Sequence, residues 1–134
     1  MNCPRFLTLA ALVVLGLVNP LRGATAAGDW IFTVSVPEGL RTDDVHHVVL
    51  AAATARGYII KEDKSDHVLL TLTRHRYEAN FTVNFDDKMV KLYSDSYKID
   101  STGVRTKKVV PESWVKYLQE DFTKKLNARA DSKK

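Results

Sequence analysis

The chain has 134 residues, a length typical of one domain with a single core. Apolar residues make up 45% and charged residues 27%, which excludes a disordered segment, and one cysteine excludes an internal disulfide. The formal net charge of only +4 argues against general nucleic-acid binding.

Residues 1–27 predict a signal peptide. Arg5 supplies the positive start, Phe6 to Val18 form a mainly apolar run, and Ala24-Thr25-Ala26 matches the small-x-small cleavage pattern. We expect cleavage near Ala26 or Ala27. The run is shorter than the about 20 residues that a membrane-spanning helix needs, so no stable membrane span is expected after cleavage.

Cleavage would change the properties of the remaining chain. It removes Cys3, which leaves no cysteine, and it removes Arg5 and Arg22, which lowers the formal net charge from +4 to +2. Cys3 precedes the apolar run, whereas a lipidated cysteine would follow it, so no lipid anchor is expected. An exported domain without disulfides favours a bacterial periplasm, or secretion, as the destination.

The first predicted strand and helix lie between residues 30 and 57. Alternation from Trp30 to Val36 predicts a strand with Trp30 and Phe32 on the same side. Thr42 is placed to cap a helix that ends at Gly57. The apolar positions of this helix recur at helical spacing: Val45, Val48, Val49, Ala52 and Ala53.

Four strands are predicted next, joined by short polar turns. They run over Tyr58 to Glu62, Val68 to about Arg76, Ala79 to Phe85, and Met89 to Ser96. Short links require antiparallel neighbours, because a parallel pair needs a long crossover. In the third of these strands Phe81, Val83 and Phe85 alternate with Asn80, Thr82 and Asn84, the pattern of a half-buried strand.

The remaining residues predict an exposed connection and a second helix. Residues 98–109 are polar and read as the connection, and Pro111 suits the first turn of a helix. Trp114, Leu118, Phe122 and Leu126 form one apolar stripe, and Ser132 to Lys134 read as a frayed tail. The sequence therefore predicts an α+β fold over residues 28–131, a single domain in the order β-α-β-β-β-β-α, with two helices packed on one face of an antiparallel sheet.

Three segments together resemble a group of small bacterial envelope proteins, many of them lipoproteins, of uncharacterised function. They are Arg56-Gly57-Tyr58, Tyr93-x-Asp95-Ser96-x-x-Ile99, and Trp114-Val115-x-x-Leu118-x-x-Asp121-Phe122. The resemblance covers roughly residues 41–126 and implies an envelope location but no catalytic residues. The chain departs from the group in lacking a lipidation cysteine and in having Lys98 where asparagine is usual.

Signals for catalysis or metal binding are weak. Asp43 and His47 lie four residues apart and would share a helix face, with His46 nearby. Two ligands from one turn do not make a metal site. Such residues more often form a solvated helix face than a metal site. His75 and Asp95 are residue types of a hydrolase without a nucleophile motif to position them. We therefore expect no cofactor and no enzyme.

Two surfaces are candidates for binding. If the helices cover the Phe81 side of the sheet, the other side is an open platform of hydroxyls, amides and aromatics. Its candidate residues are His75, Asn84, Tyr93 and Asp95; the second surface is the basic segment Arg105, Lys107 and Lys108. Arg74 and Arg76 indicate a sheet edge guarded by charge more than an anion contact.

The sequence thus predicts an exported, non-catalytic envelope domain that acts by binding. Its partner would be an envelope protein or an anionic envelope polymer. The alternative is a small periplasmic hydrolase or metal-dependent enzyme that uses His75 with Asp95, or His46 with His47. The sequence does not indicate the ligand or the oligomeric state.

Overall fold

A computed structural model describes residues 28–134 of the chain. The predicted signal peptide, its cleavage site and Cys3 lie outside the described residues.

Seven antiparallel strands and two helices form the domain. The strands are β1 (Asp29–Ser35), β2 (Ile59–Asp63), β3 (His67–Arg74), β4 (Tyr77–Phe85), β5 (Met89–Ser94), β6 (Tyr97–Ile99) and β7 (Arg105–Lys108). The helices are α1 (Thr42–Ala55), between β1 and β2, and α2 (Glu112–Ser132), after β7. The sheet order is β1-β5-β4-β3-β2, with β6 paired to β4 and β7. The predicted α+β class is confirmed.

The core lies between one face of the sheet and the two helices. Phe81 and Leu92 of the sheet and Leu118 and Phe122 of α2 are at most 1% exposed. Helix α2 packs on α1 and on β1, and α1 packs on β2 and β4. Each fully buried side chain of this size contributes about 1.5–3 kcal/mol by leaving water, so this one-sided core holds the fold together.

Strands β5 and β6 continue one another along β4. Their pairing with β4 keeps a single register, from Phe85 opposite Val90 to Tyr77 opposite Lys98. The run is interrupted after Ser94, where the Asn80 N–H donates to the Ser96 hydroxyl at 3.1 Å. Beyond the interruption β7 replaces β1 as the outer neighbour.

The expected exposed connection over residues 98–109 is therefore wrong. That segment contributes most of a hairpin, β6 with β7, in which Tyr97 lies opposite Lys108. Strand β6 has only three residues, and all four residues of β7 are exposed. Strands this short, one of them exposed on both sides, lack the alternation that identifies a strand from sequence.

The strand predicted from Val68 to about Arg76 is also too long. Strand β3 ends at Arg74, and His75 and Arg76 form a two-residue turn with φ of 54° and 67°. Both angles are left-handed, as in a type I′ hairpin turn, where Asn-Gly is the usual sequence. Because His75 and Arg76 are not typical turn residues, this turn cannot be recognised from the sequence. His75 is consequently not on the open sheet face.

A bulge in β1 reverses the predicted side of Trp30. Trp30 lies opposite Tyr93 and Phe32 lies opposite Leu92, so the bulge leaves Ile31 without a partner between them. Trp30 is 59% exposed, and its indole N–H donates to the Thr33 hydroxyl at 2.9 Å, on the side away from the helices. The predicted shared side for Trp30 and Phe32 is wrong because a bulge shifts the alternation by one residue.

Asp44 ties the start of α1 to the end of α2. Its buried carboxylate accepts the Arg41 backbone N–H at 3.0 Å, the Arg129 guanidinium at 2.9 Å and the Lys133 ammonium at 2.7 Å. These hydrogen bonds, first the one from the Arg41 backbone, hold the pKa of Asp44 well below its usual range. The N-cap is therefore Arg41 and not Thr42. In the tail expected to be frayed, Ser132 is the last residue of α2 and Lys133 contacts Asp44, so these two residues belong to the folded domain.

Candidate functional site

The side of the sheet that faces away from the helices is open. Asn80, Thr82 and Asn84 of β4 alternate with core residues and lie on this open face, as expected. Thr82 is nevertheless only 4% exposed, because it lies between Leu69 and Tyr93 on the neighbouring strands. Because Leu69 and Tyr93 have larger side chains than the polar residues of β4 between the neighbouring strands, the open face is uneven, with space over the polar positions.

A depression of about 470 Å³ occupies one end of the open face. Asn84 and Tyr93, both predicted, line it together with His67 and Lys91, which sequence reasoning missed. The His67 imidazole contacts the Asp66 carboxylate at 2.8 Å. The register would have revealed the missed residues, since His67 and Lys91 lie opposite Asn84 on its two sides.

An aromatic pair borders this depression. Tyr93 lines the depression, and Trp30 lies directly opposite it on β1. Trp30 is one of the most exposed large apolar side chains of residues 28–134. Aromatic side chains that combine a flat apolar surface with a polar N–H or O–H are enriched where proteins bind partners.

Asn80 forms the centre of a polar network on the same face. Its amide nitrogen donates to the Glu78 carboxylate at 2.8 Å and to the Asp95 carbonyl oxygen at 3.0 Å. Its amide oxygen accepts the Thr71 hydroxyl at 3.1 Å. All these groups are half-buried, so the network fixes the side chains before any partner arrives.

The basic segment predicted as a binding surface is already paired. Arg105 forms an ion pair with Glu78 at 2.5 Å and stacks over the Tyr97 ring, 4.1 Å from its centroid. The hydrogen bond from Arg105 lowers the pKa of Glu78 and raises that of Arg105. Arg105 is therefore not a free positive charge.

Lys108 and Asp95 belong to the same paired group. Lys108 lies 3.5 Å from the Asp29 carboxylate and 3.6 Å from that of Asp95, and Asp95 also accepts the Tyr97 hydroxyl at 2.8 Å. The hydrogen bond to Asp95 raises the pKa of Tyr97. Lys107 precedes Lys108 on β7 and lies opposite Lys98. It is therefore on the other side of the sheet from Lys108. The structure brings Asp95, Arg105 and Lys108 together and leaves Lys107 outside.

His75 lies away from the other candidates. It lines a cavity on the helix side of the sheet with Tyr58, Leu72 and Trp114, whereas Asp95 is on the open side. The pair considered for a hydrolase, His75 with Asp95, is therefore not brought together. His75 has this position because it lies in the left-handed turn after β3. The sequence contains no pattern that predicts that turn.

The three weak metal candidates each have a different environment. The Asp43 carboxylate pairs with Arg41 at 3.0 Å, and His46 pairs with Asp63 at 2.5 Å. His47 lines a separate groove with Lys125 and Arg129. Within residues 28–134 no three potential ligands come close enough to hold a metal ion.

Comparison of the chain with protein-family models finds no match, and comparison with curated proteins finds none. Of the helices in residues 28–134, neither is both long and apolar enough to cross a membrane. The resemblance to small bacterial envelope proteins stays a prediction.

Proposed function

We propose that this protein is an exported, non-catalytic envelope domain that binds a protein partner or an envelope polymer on its open sheet face. The observation that carries the proposal is the one-sided core. Two helices cover one face, and the other face presents Trp30 beside Tyr93 and a depression of about 470 Å³.

The chemistry of the open face suits an extended partner with both apolar and polar groups. Trp30 and Tyr93 supply flat surface, and the amide of Asn84 supplies donors and an acceptor close by. The network around Asn80 holds its side chain in place, which lowers the entropy lost on binding. Tryptophan and tyrosine residues at a contact surface are typical centres of binding energy.

The open face is a better contact surface than the basic segment. Arg105 and Lys108 are engaged with Glu78, Asp29 and Asp95, so an anionic partner would have to displace carboxylates that already pair with them. Exposed ion pairs contribute little to stability, but they cancel the positive field that would attract such a partner. The basic segment then serves to fix the β6–β7 hairpin against the sheet.

Site-specific photo-crosslinking tests the proposal. A photoreactive phenylalanine analogue replaces Tyr93 in the tagged protein within its own envelope, and a control carries the analogue at the exposed Lys116 on α2. We expect position 93 to capture a defined protein or polymer that position 116 does not. Asn84→Arg should abolish that capture, because it places a long charged side chain in the depression.

Two results would contradict the proposal. One is the same set of captured species from positions 93 and 116. The other is capture at position 93 that persists with Asn84→Arg. Protease treatment of the captured species separates a protein partner from a polymer.

A further inference from the structure

A small cavity on the helix side of the sheet is lined by basic side chains, of which Arg56 is paired with Asp121 and Arg74 is not. It has a volume of about 170 Å³ and lies where the β3–β4 turn meets the end of α1 and the start of α2. Its lining includes Arg56, Tyr58, Arg74, His75, Trp114 and Tyr117. No carboxylate side chain contributes to the lining.

Arg74 differs from most other arginines of residues 28–134 in lacking a partner. Arg41, Arg56, Arg105 and Arg129 each pair with an aspartate or glutamate. Arg74 and Arg76 form no ion pair with a carboxylate of the described residues, and Arg74 lines the cavity. Arg74 is also an exposed residue, so its guanidinium has donors that an anion in the cavity can reach.

Tyr58 is a buried residue in the lining of the same cavity. It is only 6% exposed and lines the cavity, yet its hydroxyl has no hydrogen-bond partner within residues 28–134. Burial raises the pKa of this hydroxyl, whereas the positive charges of Arg56 and Arg74 act in the opposite direction. A buried hydroxyl without a partner is destabilising, so its presence at a cavity wall points to an occupant that accepts its proton.

The backbone around the cavity is specialised to present these groups. His75 and Arg76 adopt the left-handed conformation without being glycine, and such local strain is frequent at ligand sites. At the end of α1, a Cβ on Gly57 would lie 3.3 Å from an Arg74 guanidinium nitrogen. The absence of a side chain at Gly57 thus lets Arg74 lie close across the helix end.

Arg56 is fixed by a bidentate pair with Asp121, with contacts of 2.7 and 3.2 Å, and lies 4.8 Å from the centroid of the Tyr117 ring. Asp121 uses the Nε and one terminal nitrogen, and the other terminal nitrogen keeps its donors. Arg56 and Tyr117 also line a neighbouring groove of about 580 Å³. The small cavity therefore shares Arg56 and Tyr117 with a larger neighbouring groove, which also contains Glu120 and Asp121.

We propose that this cavity binds the phosphate of a phosphate monoester, with its organic group against Trp114 and Tyr117. The unpaired guanidinium of Arg74, the remaining donors of Arg56, the Tyr58 hydroxyl and the His75 imidazole belong to its lining. These are more donors than the two oxygens of a carboxylate need, but they suit the three terminal oxygens of a phosphate. The aromatic side chains provide apolar contact for the ester group. This site is on the opposite side of the sheet from the open face and does not depend on the function proposed for that face.

Calorimetric titration with phenyl phosphate, benzoate and inorganic phosphate tests the site in the purified protein. We expect phenyl phosphate to bind more tightly than either of the other probes, and amide chemical shifts to move around Arg56, Arg74 and His75. Arg74→Gln should weaken phenyl phosphate by about tenfold or more, as expected for a lost hydrogen bond to a charged group. Arg41→Gln, which changes an exposed arginine elsewhere, is the matched control and should leave the affinity unchanged.

Tyr58→Phe separates a binding role from a structural one. It should weaken phenyl phosphate severalfold while leaving the thermal midpoint unchanged or higher, because the variant removes a buried hydroxyl that has no partner. Absence of phenyl phosphate binding, tighter binding of benzoate, or equal losses from Arg74→Gln and Arg41→Gln would each overturn the proposal. So would a Tyr58→Phe variant with a lower midpoint and unchanged affinity.

Discussion

The turn between β3 and β4 is where a change of sequence should stabilise the protein. His75 and Arg76 are the non-glycine residues with positive φ in the part of the chain that the structure describes. Asn-Gly fits a two-residue turn of this kind without steric cost. We therefore expect the double substitution His75→Asn with Arg76→Gly to raise the free energy of unfolding.

The size of the gain follows from two opposing effects. The left-handed conformation costs an ordinary residue about 1–2 kcal/mol, and glycine avoids that cost but loses about 0.5–1 kcal/mol through the greater freedom of the unfolded chain. Arg76→Gly should therefore gain about 0.5–1 kcal/mol, and His75→Asn should add a few tenths because asparagine tolerates this region well. A total of about 1 kcal/mol corresponds to about 4–8 °C in thermal midpoint for a domain of this size.

Thermal and urea unfolding followed by circular dichroism measure the change. Arg76→Ala, which keeps a Cβ at the same backbone angle, should leave stability nearly unchanged. Gly39→Ala provides a control of opposite sign: Gly39 has a φ of 97° with open space around it, so a methyl group there costs only backbone strain. Equal midpoints for Arg76→Gly and Arg76→Ala, or a lower midpoint for the double variant, would refute backbone strain as the cause.

Three further predictions concern the core, the helix contact and the start of β1. Phe122→Ala, at a fully buried position, should lower the free energy of unfolding by about 3–5 kcal/mol in a urea titration. The pKa of Asp44 is lowered in the folded state, so its contribution is fully present above the ordinary carboxyl pKa of about 4, declines as pH falls below that value, and is lost only once pH has fallen through the lowered folded-state pKa. In urea titrations, Asp44→Asn should therefore destabilise the protein most at about pH 7, and the difference from the unsubstituted protein should shrink steadily between about pH 4 and about pH 2. Gly28→Ala should speed hydrogen exchange in the first residues of β1, because a Cβ there would overlap the Ser94 carbonyl and φ is 94°; unchanged exchange would contradict that placement.

The fold class followed from periodicity, and the errors arose where local backbone geometry broke it. The β4 alternation and the α2 stripe gave the core face correctly, since Phe81, Leu118 and Phe122 are all buried. The bulge next to Trp30 shifted one strand by a residue, and the left-handed turn at His75 carries no turn signature. Neither feature has a side-chain pattern that single-sequence reasoning can detect.

The candidate sites were harder to predict because they join residues from distant parts of the chain. Asn84 and Tyr93 could be placed on the open face from alternation alone, but their neighbour Trp30 could not. The charge of Arg105 was evident, whereas its pairing with Glu78 depends on the β6–β7 hairpin. The lining of the helix-side cavity joins Tyr58 and Arg74 with Trp114 of α2, which lies 40 residues after Arg74. Only the packed structure brings these residues together.

The contact of Asp44 with Arg129 and Lys133 has a consequence for the order of folding. Arg129 lies 85 residues after Asp44 in the sequence and Lys133 lies 89 residues after it, so the contact is among the most non-local in the domain. Loop closure over such a separation is slow, and during synthesis the strands and α1 precede the residues that complete it. A nascent or shortened chain that ends before Arg129 would hold the Asp44 carboxylate without its cations, so the start of α1 would gain these two contacts only when the last turn of α2 is present.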